Sequence, residues 1–153
     1  MELDSRIKDA LTKIDFVKRY EELSNEYDSE RTPLSERLIY LDGEEVMDSI
    51  AALGYKPLFD SKEKFFKIQE EEVEDYSFGF HIILRDGKAD LVWVVRKDDE
   101  LLLGAPWSTY SRRLISLDYR IKQPIYGDYD DLDEILKTAF EMYEDFKKAV
   151  LAE

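Results

Sequence analysis

One stretch of alternating residues that folds back on itself across a single dipeptide constrains this chain more than any other feature. Tyr76, Phe78, Phe80, Ile82 and Leu84 alternate with Ser77, Gly79, His81, Ile83 and Arg85, a period of two that fits a strand with one buried face and not a helix. Asp86-Gly87 follows directly, and that dipeptide favours the type I′ turn of a two-residue hairpin. The turn sets a register: Arg85 opposite Lys88, Leu84 opposite Ala89, Ile82 opposite Leu91, Phe80 opposite Trp93, Phe78 opposite Val95. Every apolar partner then shares a face, and a slip of one residue would set Phe80 against Val92 or Val94 and destroy the agreement. A second hairpin is predicted to turn at Asp98-Asp99, pairing Lys97 with Glu100, Val95 with Leu102 and Trp93 with Gly104, where a missing side chain would leave room for the indole. Phe65 to Gln69 reads as a further strand, joined to the hairpin by the acidic loop Glu70-Glu71-Glu72-Val73-Glu74-Asp75.

Helical spacing flanks this sheet. Leu3, Ile7, Ala10, Ile14 and Val17 form one stripe, and Phe16, Tyr20, Leu23 and Tyr27 a second one displaced around the same helix. Two apolar faces on one helix predict a position in a groove between other elements. Residues 28–35 read as a loop. A second helix is predicted over Asp42 to Ala52, with Val46, Met47, Ile50 and Leu53 inward, Gly54 ending it and Pro57 discouraging continuation. From Asp128 to Leu151 a long final helix sets Leu132, Ile135, Ala139, Tyr143, Phe146 and Val150 on one face. The stretch around Leu114 to Tyr119 fits an edge strand or a short helical turn equally well. No linker or repeat divides the chain, so residues 1–153 read as a single α+β domain. Its antiparallel meander of about four to five strands carries the N-terminal helices and the long C-terminal helix packed on one face.

Charge then bounds the partners. Thirty-six Asp and Glu against 22 Lys and Arg leave a net charge of -14 in 153 residues. At physiological salt such a surface repels phosphate backbones and anionic membranes and attracts basic proteins over a Debye length of about 8 Å, so neither nucleic acid nor membrane is an expected partner. The 44% hydrophobic content and ten Tyr, eight Phe and two Trp are too apolar for a disordered acidic tail. There is no cysteine and one histidine, which removes thiol chemistry and thiolate or multi-histidine metal sites. No cofactor or metal is therefore expected. With neither a leader pattern at the N-terminus nor an apolar run of about 18 residues, a cytoplasmic location is expected.

Three groups of residues could carry function. Glu70, Glu71, Glu72, Glu74 and Asp75 could dock a basic surface, although charge runs also serve simply as solvated loops. They have neither the glycine nor the alternating oxygen ligands of a calcium loop. Asp128, Asp130, Asp131, Asp133 and Glu134 complement the N-terminus of the last helix. Capping explains one or two of them, and the remainder forms an acidic and aromatic patch with Tyr126 and Tyr129. Trp107, Tyr110, Arg112, Arg113, Arg120 and Lys122 make a locally basic, aromatic stretch that could hold an anionic ligand together with His81. The competing expectation is that its arginines pair with surplus acids of the same fold. His81 lies on the second face of the first hairpin with Ile83, Val94, Leu101 and Leu103. That face is apolar enough to expect a helix, a loop or a partner over it.

No nucleophile elbow, phosphate loop or dinucleotide fingerprint is present, and no catalytic residue is assigned. The sequence favours a small acidic binding protein that masks a basic partner, as an inhibitor, antitoxin or immunity protein would, through Glu70, Glu71, Glu72, Glu74, Asp75, Tyr126, Asp128, Tyr129 and Asp131. The alternatives are a ligand-binding or sensor domain built on His81, Trp107, Tyr110, Arg112 and Arg113, and a hydrolase using His81 or carboxylates. Oligomeric state is not encoded in any pattern seen.

Overall fold

The Asp86-Gly87 turn stands where the alternation places it, with φ of 54° and 75° at its two residues. The pairing of Tyr76–Arg85 with Lys88–Lys97 is the predicted one along its whole length. Glycine at position 87 answers two demands: a left-handed backbone, and a close approach in which a Cβ would lie 2.6 Å from the Cβ of Arg37. The computed structural model describes residues 2–153. Its elements run α1 (Ser5–Lys13), α2 (Phe16–Glu26), a 3₁₀ turn (Leu34–Glu36) and α3 (Gly43–Ala52), then β1 (Pro57–Asp60), β2 (Phe65–Ile68), β3 (Glu71–Val73), β4 (Tyr76–Arg85), β5 (Lys88–Lys97), β6 (Glu100–Leu103), α4 (Trp107–Leu114) and α5 (Tyr129–Leu151). The class is α+β. The sheet is antiparallel, in the order β1-β2-β4-β5-β6, with β3 continuing beside β4 where β2 ends. Six strands replace the four to five expected, because Pro57–Asp60 and the acidic stretch Glu71–Val73 are themselves paired.

The second hairpin departs from its predicted register. Lys97 faces Glu100 as expected, but a bulge between Val95 and Arg96 brings Val95 opposite Leu103 rather than Leu102. One extra residue in a strand turns every later side chain over. Leu103 enters the core, Leu101 is turned out to solvent, and Gly104 does not face Trp93. The space above Gly104 is filled by Leu101, whose Cδ2 would stand 3.3 Å from an added Cβ.

The two apolar stripes of the N-terminal segment belong to two helices rather than one. Asp15 takes a left-handed conformation (φ 59°) and breaks the segment. α1 buries Ile7, Ala10 and Leu11, while α2, set off at a new angle, buries Phe16, Tyr20 and Leu23. The displacement read as a doubly apolar helix therefore marks a bend. Asp4 caps α1 through Arg6 N at 2.9 Å, and Asp128 caps α5 through Asp131 N at 2.8 Å. Helix α4 (Trp107–Leu114) ends where the ambiguous stretch begins, and Ile115 to Tyr119 is neither strand nor helix but a turn in which Tyr119 N donates to Ser116 O at 3.1 Å.

All five helices contribute side chains to one core with the face of the sheet that carries Phe78, Phe80, Ile82, Leu91, Trp93 and Val95. Its centre is aromatic. The Trp93 ring stacks on Phe146 of α5 at 4.5 Å and meets Trp107 of α4 edge-on at 5.0 Å, while Phe16 of α2 lies 5.3 Å from Trp107. Such pairs contribute on the order of 0.5–1.5 kcal/mol each beyond the area they bury. Tyr110 does a second task. On the side away from β4, pairing with β6 ends at Val95, and the Tyr110 hydroxyl takes the place of a strand beside the Trp93 backbone. It accepts from Trp93 N at 3.0 Å and donates to Trp93 O at 3.1 Å. Tyr110→Phe should keep the fold and cost about 1–3 kcal/mol, the penalty for leaving a buried amide and carbonyl unpaired. Urea denaturation tests this, and a loss below about 0.5 kcal/mol would mean that the hydroxyl is not needed there.

Candidate protein-interaction site

The acidic stretch 70–75 is not a free loop, and its members divide by strand alternation. Glu71 pairs with Phe78, whose side chain lies in the core, so Glu71 turns toward α5 with its side chain 34% exposed. It accepts from the Tyr143 hydroxyl at 2.5 Å and from Lys147 Nζ at 2.8 Å. Lys147 also meets Glu144 at 2.9 Å, and Glu144 accepts from the Tyr55 hydroxyl. Burial, and then donation to Glu71, push the Tyr143 phenol well above its usual range. Burial alone would raise Glu144, but the bonds from Tyr55 and Lys147 outweigh it and hold the carboxylate below its usual value. Glu71 is thus part of the attachment of β3 to the last helix, not of the surface proposed for it from sequence.

Glu70, Glu72, Glu74 and Asp75 remain outside and gain two companions from the next turn. Together with Asp98 and Asp99 they place six carboxylates around a shallow cleft of about 270 Å³, whose wall also includes Ser77 and Arg96. Asp98 N donates to Asp75 O at 3.1 Å and ties the β3–β4 turn to the β5–β6 turn. Among the described residues, the one ion pair made by the six is Asp75 with Lys97 at 3.8 Å. Asp98 and Asp99 were missed as site residues, although an Asp-Asp turn with no glycine was itself a signal. Both, like Glu74, adopt left-handed φ (49°, 68° and 59°), a conformation that glycine takes at lower cost.

This anionic rim runs onto the second face of the sheet. At Gly79 an added Cβ would contact Val94 Cβ at 3.5 Å and Glu70 Cγ at 3.6 Å, so the acids abut the apolar surface directly. Val92 and Val94 are nearly covered yet stand apart from the core cluster to which every helix contributes. His81 lies between them and Phe65, its ring 4.7 Å from the phenyl ring. Burial, and after it the charge of Lys67, hold His81 below the ordinary imidazole value, against Glu70 and Asp60.

The other two groups disperse. Tyr126 is fully buried, and its carbonyl accepts from Leu38 N at 3.1 Å, while the Tyr129 hydroxyl accepts from Asp42 N at 2.9 Å. Asp131 holds Arg31 and Gly127 N, each at 3.0 Å, and Asp128 is the helix cap. This patch is a joint between the last helix and the 31–42 segment. Trp107 and Tyr110 are buried in the core, so the sheet lies between them and His81 and no common pocket forms. Arg112 and Arg113 end α4. The expectation that this stretch is neutralised internally fails: among the described residues, Arg112, Arg113, Arg120 and Lys122 form no ion pair.

Among the described residues no group of three or more His, Asp or Glu is arranged to hold a metal ion, and no helix is long and apolar enough to cross a membrane. Comparison with family models, with curated proteins and with solved structures finds no match.

Two measurements probe this description. A folded state that lowers the His81 pKa binds fewer protons than the unfolded chain, so its stability contribution is complete above the unfolded value of about 6.5 and declines as pH falls through the folded one. His81→Gln should remove that part of the acid-side decline, and an unchanged profile of stability against pH would contradict it. Asp99→Gly should stabilise by on the order of 0.5–1 kcal/mol in thermal or urea unfolding, by relieving the left-handed backbone and one like-charge contact. A destabilised variant would mean that the carboxylate is structurally required.

Proposed function

We propose that this chain is a protein-binding module whose anionic rim docks a basic protein surface, as an inhibitor, antitoxin or immunity protein would. The supporting observation is the convergence of six carboxylates around one cleft, its two turns joined by the Asp98 N to Asp75 O bond, beside the second sheet face at Gly79 and Val94. Polar rim and apolar neighbour are the two ingredients of a specific interface. Opposite potentials accelerate encounter and reject wrong partners even where individual ion pairs add little affinity. The cysteine-free composition fits action in the cytoplasm.

The competing readings draw less support. A small-ligand site built on His81 with Trp107 and Tyr110 would need groups that stand on opposite sides of the sheet. For a hydrolase, His81 would be the base. Its ring makes no side-chain hydrogen bond among the described residues, and its neighbours are Phe65 and Lys67 rather than a hydroxyl nucleophile.

The test separates local pattern from total charge. Glu70→Lys, Glu72→Lys and Asp75→Lys together should abolish capture of the partner taken by the natural chain. Glu26→Lys, Glu134→Lys and Glu141→Lys, all exposed and away from the rim, change the total charge equally and should leave capture intact. Capture should also weaken with added salt. Equal loss in both variants, or loss in neither, would defeat the proposal.

A further inference from the structure

At the opposite end of the first hairpin, roughly 30 Å along β4 from the anionic rim, the sheet and α3 leave an open apolar groove of about 580 Å³. Its walls are Ile39 and Leu41, Met47 of α3, Phe59 of β1, and Phe66 and Leu84 on the floor. Around it apolar surface is displayed rather than hidden: Phe59 is 45% exposed, Ile39 42%, Leu34 70% and Tyr40 92%. A contiguous cluster of this kind on an acidic fold marks an interaction surface.

The display is built into the fold. The 38–42 segment is fastened at both ends, Leu38 N to Tyr126 O at 3.1 Å and Asp42 N to the Tyr129 hydroxyl at 2.9 Å. Ile39 and Tyr40 lie between the fastenings and are held outward, which lowers the ordering cost of binding. Charge distinguishes the two sides of the groove. On the α3 side Glu44 lines the groove and Asp48 follows one turn later on the same side of the helix, both exposed and, among the described residues, in no ion pair. Across the groove, Asp60, Lys62, Glu63 and Lys64 of the β1–β2 turn nearly cancel, and Arg85 reaches Glu63 O at 3.5 Å.

Strand addition is a poor use of this site. Gln69 N donates to Lys56 O at 3.0 Å, so Lys56 and Leu58 face β2 while Pro57 and Phe59 face outward, and proline has no amide to offer. The free edge of β1 therefore carries one donor. Side-chain anchoring is the mode that remains, in a volume that suits about two large apolar side chains.

We propose that this groove receives an amphipathic helical segment of a partner protein, with two apolar anchors seated over Phe66 and Leu84 and lysines or arginines along its α3 side. The warrant is charge complementarity to Glu44 and Asp48 on that side, and the site does not depend on the anionic rim.

The probe is a fluorescein-labelled helical peptide with Leu and Phe at i and i+4 and lysines on the adjoining face, followed by fluorescence anisotropy. It should bind with a dissociation constant on the order of micromolar. A peptide with glutamates for the lysines, and a scrambled peptide of the same composition, should each bind at least about tenfold more weakly. Phe59→Ser, Ile39→Ser and Glu44→Lys should each cost about tenfold or more, with far-UV circular dichroism confirming the fold. Tyr129→Phe, which frees one end of the 38–42 segment, should weaken binding less. The Glu70, Glu72 and Asp75 reversal should leave peptide binding unchanged, so this inference and the rim proposal fail separately. The idea is overturned by absent binding, by equal binding of the glutamate or scrambled peptide, or by sedimentation in which the natural chain dimerises and Phe59→Ser is monomeric, since a second copy would then be the occupant.

Discussion

The packing of helices around Trp93 is the constraint on which the rest of the molecule depends. Trp93 and its cross-strand partner Phe80 lie at the centre of the long hairpin, and three helices meet there through aromatic rings: Phe16 from α2, Trp107 and Tyr110 from α4, Tyr143 and Phe146 from α5. These elements are far apart in sequence, so no local propensity holds them together. On the side away from β4, where pairing with β6 stops at Val95, the Trp93 backbone is completed by the Tyr110 hydroxyl instead of a strand. Side-chain burial and backbone satisfaction are thus provided by one neighbour, and α4 is positioned twice over.

Concentrating the helices on one side determines where recognition can occur. The helix-covered face is filled, so partner-accessible features lie at the two ends of the hairpin and on the second sheet face. The ends differ in chemistry. At the β3–β4 and β5–β6 turns, acidic side chains occupy positions where glycine would be less strained. At the β4–β5 end, glycine is retained because Arg37 leaves no space for a side chain. The surplus charge is therefore not a uniform coat: part caps helices at Asp4, Asp42 and Asp128, part is paired with Lys147, and a defined portion is gathered at the rim.

Legibility in the sequence followed the range of the forces involved. The β4–β5 register could be read because a local turn and a period of two agree, and the long last helix because its stripe repeats over six turns. The break at Asp15 was hidden, since a stripe displaced around one helix and a stripe on a second helix look alike until the backbone turns. The bulge after Val95 changed no residue type. Glu71 was misplaced because a carboxylate reads as free surface, whereas Lys147 and Tyr143, some seventy residues later, hold it against the last helix. Trp107 and Tyr110 beside two arginines looked like a platform, and helical geometry on α4 instead directs the rings inward and leaves Arg113 outside. The groove at Phe59 and Ile39 went unseen because it joins five segments, the 39–41 loop, α3, β1, β2 and the end of β4, which only the folded chain brings together.

The two tryptophans of the chain lie side by side in the core, 5.0 Å apart and without solvent contact. Neither lines the rim or the groove. The intrinsic emission of the protein is consequently a reporter of core integrity, strongly coupled between the two indoles and insensitive to events at either surface. A ligand that shifts this spectrum has acted through the fold, and a ligand that binds either surface without disturbing the core will be spectroscopically silent unless it carries its own label.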